Sequence, residues 1–215
     1  MKRLLPFAAL FLALGCNNAI SPVAPPPKDV DTSAYAAVAT FGEGGVCKLK
    51  NENTKITFVG SKPGKKHEGG FKSLEGSIKL TILTPGETPP PGWARLSSIK
   101  VEIDTDSLYA DDPKLTDHLK KPEFFDVKEF PKASFKSTKI TGDVSKENEA
   151  TATGELTLRG VTKSITYPIQ FSTERGQFYL TASFKINRHD FGVSYGKGEV
   201  DDDVNINVTV GIPPK

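Results

Sequence analysis

The chain has 215 residues, with 28 Lys and Arg against 26 Asp and Glu, and only two cysteines, Cys16 and Cys47. Lys2 and Arg3 belong to an N-terminal apolar leader; without them basic and acidic residues are equal in number, which leaves no electrostatic case for nucleic acid. Two cysteines so placed exclude a disulfide-stapled fold, and the roughly 175 residues beyond position 40 suit one domain with a sizeable core.

The leader comes first. Lys2 and Arg3 precede an apolar run from Leu4 to Leu14, closed by Gly15 and Cys16. A basic start, a short apolar centre and a small residue before a cut have the layout of a secretory signal, and the run is too short for the ~20 residues of a membrane span. A cysteine directly after the small residue resembles the lipobox of bacterial lipoproteins, in which the thiol is acylated and becomes the new N-terminus. Ala13 stands where leucine is usual, three residues before it. The alternative is an ordinary cleaved signal with an incidental cysteine. Under the lipobox reading, residues 1–15 are a signal peptide and Cys16 is the lipidation site that makes the membrane a partner.

Residues 16–40 contain Ser21-Pro22-Val23-Ala24-Pro25-Pro26-Pro27-Lys28 and few large apolar side chains. They read as a disordered, semi-rigid tether. Asn17 is not Asp, so the inner-membrane retention signal of Gram-negative lipoproteins is absent. The expected location is the bacterial cell envelope, lipid-anchored and periplasm-facing, on the outer membrane if the cell is Gram-negative.

Residues 41–215 read as a single all-β domain. Cys47 lies in Gly45-Val46-Cys47-Lys48-Leu49 and alternates with Lys48, as a small buried hydrophobe would. Ile56 and Phe58 open the series of strands. Ile78, Leu80 and Ile82 alternate with Lys79 and Thr81, and Ile99, Val101 and Ile103 with Lys100 and Glu102. Pro85-Gly86 and Pro89-Pro90-Pro91-Gly92 mark a long loop between these two runs. Pro113 to Lys121 is the one helical candidate, with Leu115, His118 and Leu119 on one face. Phe135 marks the next strand. Gly154, Leu156 and Leu158 share a face with Ala150 and Ala152, followed by Ile165, Tyr167, Ile169 and Phe171, then by Phe178, Leu180, Ala182, Phe184 and Ile186. Val204, Ile206, Val208 and Val210 form the last set. Each pattern is that of a half-buried antiparallel strand, about eight in all.

Eight amphipathic strands hide their apolar face and lose their free edges by closing into a barrel. The polar face carries Lys79, Lys100, Glu102, Lys136, Glu155 and Arg159, and the runs are mostly shorter than the ~9–11 residues of a membrane-spanning strand. The barrel is therefore expected to be soluble, with its apolar face inward. Such an interior is either filled by side chains or able to hold one small ligand. The pattern leaves both open, with Ala150, Ala152, Gly154 and Ala182 as the small inward positions where space can remain.

Several segments match one family. Ile56-Thr57-Phe58-Val59-Gly60-Ser61-Lys62 with His67 and Gly69-Gly70-Phe71 resembles the opening of the YceI-like family of secreted bacterial proteins, and so does the run from Val101 to Leu108. The blocks Asp117 to Val127 and Phe130 to Ser137 carry the most specific likeness, completed by Gly154 to Lys163 and Asn187 to Val193. The likeness spans essentially residues 46–215, in order. The lipobox and the Pro-rich loop depart from many members.

The resemblance implies a lipocalin-like eight-stranded barrel holding a long isoprenoid or other lipid in its lumen, with no covalent cofactor. The lumen candidates are then Phe58, Phe71, Ile78, Leu80, Ile82, Ile99, Val101, Ile103, Phe135, Gly154, Leu156, Leu158, Ile165, Tyr167, Phe171, Ala182 and Phe184. Phe124 and Phe125, between Pro122 and Pro131, are expected to cover or line the mouth. Arg188 and Asp190 are expected to form an ion pair at the rim, where with His67 and His189 they could meet a polar head group.

Gly160 before Val161-Thr162-Lys163 reads as a tight hairpin turn. The three histidines, His67, His118 and His189, are too far apart in sequence for a local metal motif, so no metal site is expected. There is no Gly-x-Ser-x-Gly elbow, and Asp201-Asp202-Asp203 reads as a solvated turn. No catalytic residue is assigned, and the protein is expected not to be an enzyme. The alternatives are a structural or stress-related surface lipoprotein with a filled barrel and, behind it, a cell-envelope enzyme. A homodimer is compatible with the sequence.

Overall fold

The computed structural model describes residues 41–42, 45–82, 94–142, 149–174 and 177–211. The signal peptide 1–15, Cys16, the tether 16–40 and the Pro-rich loop 85–92 lie outside the described residues. Within them the chain is all-β with one short α-helix. The strands are β1 (Phe41–Gly42), β2 (Val46–Lys50), β3 (Thr54–Lys62), β4 (Lys65–Phe71), β5 (Leu74–Ile82) and β6 (Ala94–Asp104). After them come β7 (Leu108–Ala110), helix α1 (Pro113–Leu119), β8 (Lys132–Thr141), β9 (Glu149–Leu158), β10 (Val161–Glu174), β11 (Gln177–Asn187) and β12 (Asp203–Val210).

All these strands lie in one antiparallel sheet, in the order β1-β2-β5-β6-β8-β9-β10-β11-β12-β3-β4-β7. β3 pairs with β12 on one side and with β4 on the other. β4 runs into β5 across Lys72 and Ser73, so the sheet curls round until its two flanks meet through the chain itself.

The count of eight is corrected by the sheet, which has twelve strands among the described residues. β2 with β3, β4 with β5, and β6 with β7 are long runs, each broken once where the sheet bends. The breaks fall at 51–53, at Lys72-Ser73 and at a 3-10 turn, Thr105–Ser107. Bends release backbone groups that need new partners. Here the Leu74 N–H donates to Asn51 Oδ1 at 2.7 Å and the Ser73 N–H to Ser107 Oγ at 3.0 Å. β4 escapes the periodicity because Lys65 to Gly70 contains no alternating apolar side chains. Its pairing with β3 and β7 makes it a strand.

Local signals explain the connections. Asp112 caps α1 by accepting from the N–H groups of Lys114 (2.8 Å) and Leu115 (3.4 Å), with Pro113 in the first turn. The helix ends at Leu119, ahead of Pro122, and buries Leu119 against Phe58 and Leu108. β9 turns into β10 through Arg159 (φ 50°) and Gly160 (φ 70°), the positive-φ pair of a two-residue hairpin loop.

The inward face is packed tightly in one region. Phe178, Leu96 and Cys47 are at most 2% exposed and belong to the main core cluster. Leu80 is buried in the same cluster, and the Phe171 ring packs 6.5 Å from that of Phe178. The Cys47 thiol is pushed up from 9.0 to about 11 by burial.

Candidate ligand cavity

Elsewhere the same inward face leaves space. A cavity of about 140 Å³ lies inside the curled sheet, walled by side chains from β2 through β6 and β8 through β12. Period-two alternation places these side chains inside. Ile103, Leu156, Leu158, Ile165, Phe184 and Val204 line it, yet each is only half-buried. On an inward face, such exposure is exposure to the cavity.

Most of the predicted lumen residues line this space. Phe58, Phe71, Ile78, Ile99, Val101, Ile103 and Phe135 do so from the first half of the domain; Leu156, Leu158, Ile165, Tyr167, Ala182 and Phe184 do so from the second. Leu80 and Phe171 do not, because they are packed in the tight part of the core. Ile82 closes β5, and its side chain lies outside what is described.

Gly154 requires a correction of another kind. A Cβ there would come 2.5 Å from the Phe135 ring and 2.5 Å from the Lys136 carbonyl oxygen. The missing side chain leaves no vacancy, because Phe135 lies across it.

Phe125, expected at the mouth, also reaches the wall, where its ring stands 6.0 Å from Phe58 and 5.8 Å from Phe71. The segment carrying it, 120–131, is held by a residue far away in sequence, in the β9–β10 turn. Arg159 donates from Nη1 to the carbonyls of Pro122 (2.7 Å) and Phe124, and its guanidinium lies 5.7 Å from the Phe130 ring. Phe124 is half-buried against the Phe58–Leu108–Leu119 cluster, and its ring centroid lies 4.9 Å from those of both His118 and Tyr195.

The rim residues separate. His67 Nδ1 stands 2.9 Å from Asp111 Oδ1, and this hydrogen bond holds the Asp111 carboxyl below its ordinary value. His118 pairs with Glu123 at 3.1 Å and His189 with Asp202 at 2.7 Å. Each histidine thus has its own carboxylate, and no group of three His, Cys, Asp or Glu able to hold a metal gathers among the described residues.

The expected Arg188–Asp190 pair is not formed. Arg188 is 5% exposed and donates to the carbonyls of Asp201 (3.0 Å), Val193 (3.2 Å), Tyr195 (2.6 Å) and Val200 (3.1 Å). Its carboxylate neighbour is Asp202, at 3.6 Å, while Asp190 is exposed in the 3-10 turn Arg188–Phe191. These donors are committed to the fold of segment 193–201.

The wall also contains residues outside the predicted set: Leu49, Ile56, Ile169, Leu180, Ile206 and Val208, among others. Most stand in the same alternating runs, so periodicity marked their face without marking where the face is open. Leu49 sits in five-residue β2, too short to give a periodic signal by itself.

Curled sheet and cavity together define an all-β protein of lipocalin-like build with an apolar interior. Residues 48–212 match the family model described as the YceI-like domain, and the chain belongs to that family. It is 32% identical over 152 residues to a UPF0312 protein of Pseudomonas putida (strain W619), covering 66% of this chain and 71% of that one. Its fold is similar to that of Burkholderia cenocepacia BcnA, with a TM-score of 0.62 at 24% identity, over 74% of this chain and 96% of the other. It is also similar to a polyisoprenoid-binding domain from Saccharophagus degradans implicated in plant cell wall breakdown, with a TM-score of 0.58 at 13% identity, over 80% and 100% of the two chains.

Proposed function

We propose that this protein is a lipid carrier of the cell envelope, a binding protein and not an enzyme, which holds a long apolar chain inside its curled sheet and is tethered to the membrane through a lipidated Cys16. The observation that carries the binding reading is the apolar cavity itself, with inward Ile, Leu, Val and Phe side chains left half-buried around it. A ligand covering them removes apolar surface from water at ~25 cal/mol per Å². The polyisoprenoid-binding relative in fold supports an isoprenoid, such as a quinone tail, as the ligand class.

The free space is close to the ~150 Å³ of a cavity that admits one benzene. A long chain therefore enters only as the wall yields, and the half-buried rings of Phe71, Phe125 and Phe184 are the groups placed to move. Organic extraction of the purified, folded protein followed by mass spectrometry tests the proposal. A stoichiometric isoprenoid or other long-chain lipid is expected; protein that carries none and takes up no added isoprenoid would overturn it. The tether is tested separately. Cys16→Ser should leave the protein unprocessed or released from membranes, and a correctly cleaved, membrane-bound variant would refute lipidation.

A further inference from the structure

Among the described residues, three polar ones line the cavity: Thr54, Ser134 and Tyr167. The Thr54 hydroxyl donates to Asn53 Oδ1 at 2.9 Å. Ser134 stands between inward Ala133 and Phe135, so alternation turns its side chain away. Tyr167 is different. It is 7% exposed, its ring stacks on Phe184 at 4.3 Å and 15°, and the Phe135 ring lies 5.4 Å away.

The Tyr167 hydroxyl has no hydrogen-bond partner among the described residues. No polar side-chain atom among them is sealed in the core without a partner, so this hydroxyl looks onto free space and not onto packed carbon. A phenol held in apolar surroundings without a partner is costly, and phenylalanine would fill the same wall without that cost. Desolvation also raises the phenol above its ordinary value, so it remains a protonated donor at any physiological pH.

We infer that Tyr167 is a specificity-determining residue of the cavity, whose hydroxyl donates a hydrogen bond to a neutral oxygen acceptor, a carbonyl, carried by the long-chain ligand. This rests on the lipid-carrier reading above. The acceptor is neutral because no Lys, Arg or His among the described residues lines the cavity, and an anionic head beside Tyr167 would be buried without a countercharge. The protein therefore distinguishes carbonyl-bearing chains from plain hydrocarbons.

Titration of the purified protein with geranylgeranylacetone, and with the hydrocarbon in which its C=O is replaced by CH₂, tests the assignment. The wild type should bind the ketone about tenfold more tightly. Tyr167→Phe should lose that preference while binding the hydrocarbon at least as well, since the stacked ring is kept. The infrared carbonyl band of the bound ketone should shift to lower frequency in the wild type and not in the variant. Equal affinities for both probes in the wild type, or a preference that survives Tyr167→Phe, would overturn the role of Tyr167 and leave the carrier reading standing. Failure of the wild type to bind either probe would overturn both.

Discussion

Burial decides what Cys47 can do. Cys47 is fully buried, its backbone pairs with Phe41 of β1 and Ile78 of β5, and desolvation raises the thiol to about 11. The thiolate is the nucleophile, so Cys47 is inert at neutral pH until the domain opens. The shift also sets a pH dependence. Between 9.0 and about 11 the unfolded chain has lost a proton that the folded chain keeps, so this stability is present below pH 9 and falls as pH rises. Tyr167, also raised by burial, adds a fall of the same sign above 10.0. Denaturant unfolding from pH 7 to 11 should therefore show declining stability, and Cys47→Ala should flatten the first part of the decline at a cost of about 1 kcal/mol at neutral pH. A second residue-scale expectation concerns Arg188. Lysine cannot fork to four carbonyls, so Arg188→Lys should cost about 2–3 kcal/mol and expose the amides of 193–201 to hydrogen exchange.

Among the elements, the segment between α1 and β8 depends most on a distant contact. It contributes Phe125 to the cavity wall, yet it is pinned by Arg159 from the β9–β10 turn. Arg159→Ala should cost about 1–2 kcal/mol and speed amide exchange in 120–131. Unchanged exchange would show that Phe125 packing alone secures the segment. The turn, the helix start and most strand faces were legible in the sequence because each rests on neighbours in the chain: Arg159-Gly160, Asp112-Pro113, alternating aliphatics. β4 and the strand breaks were not, because Lys65 to Gly70 become a strand only through partners far away in sequence.

For the whole molecule, the sheet divides its interior into a packed region and an open one, and mutations should read out that division. Ala182 is 7% exposed and lines the open part. Ala182→Phe should fold and reduce lipid recovered by extraction at least severalfold, since a ring occupies volume the ligand needs. Gly154→Leu is no such probe. It drives a side chain into Phe135 and the Lys136 carbonyl and should destabilise by about 1–3 kcal/mol before it affects binding. If Ala182→Phe keeps full occupancy, the chain must lie elsewhere than the cavity.

The sequence by itself determined the class of this protein: a neutral, disulfide-free domain of antiparallel strands, with one apolar face and the motifs of one family. Those properties are local or additive, since the period of two, turn chemistry and charge balance need no knowledge of long-range contacts. Only the tertiary structure decided where the interior stays open and which polar groups are already engaged. Arg188 looked available for a head group and is bound by carbonyls from a loop 5–13 residues away. Gly154 looked like room and is covered by Phe135, while Tyr167 was one lumen candidate among many and only the fold shows its hydroxyl at the cavity without a partner among the described residues. Free volume and hydrogen-bond satisfaction are differences between what many side chains offer and what they fill, and that difference exists only once the sheet has curled.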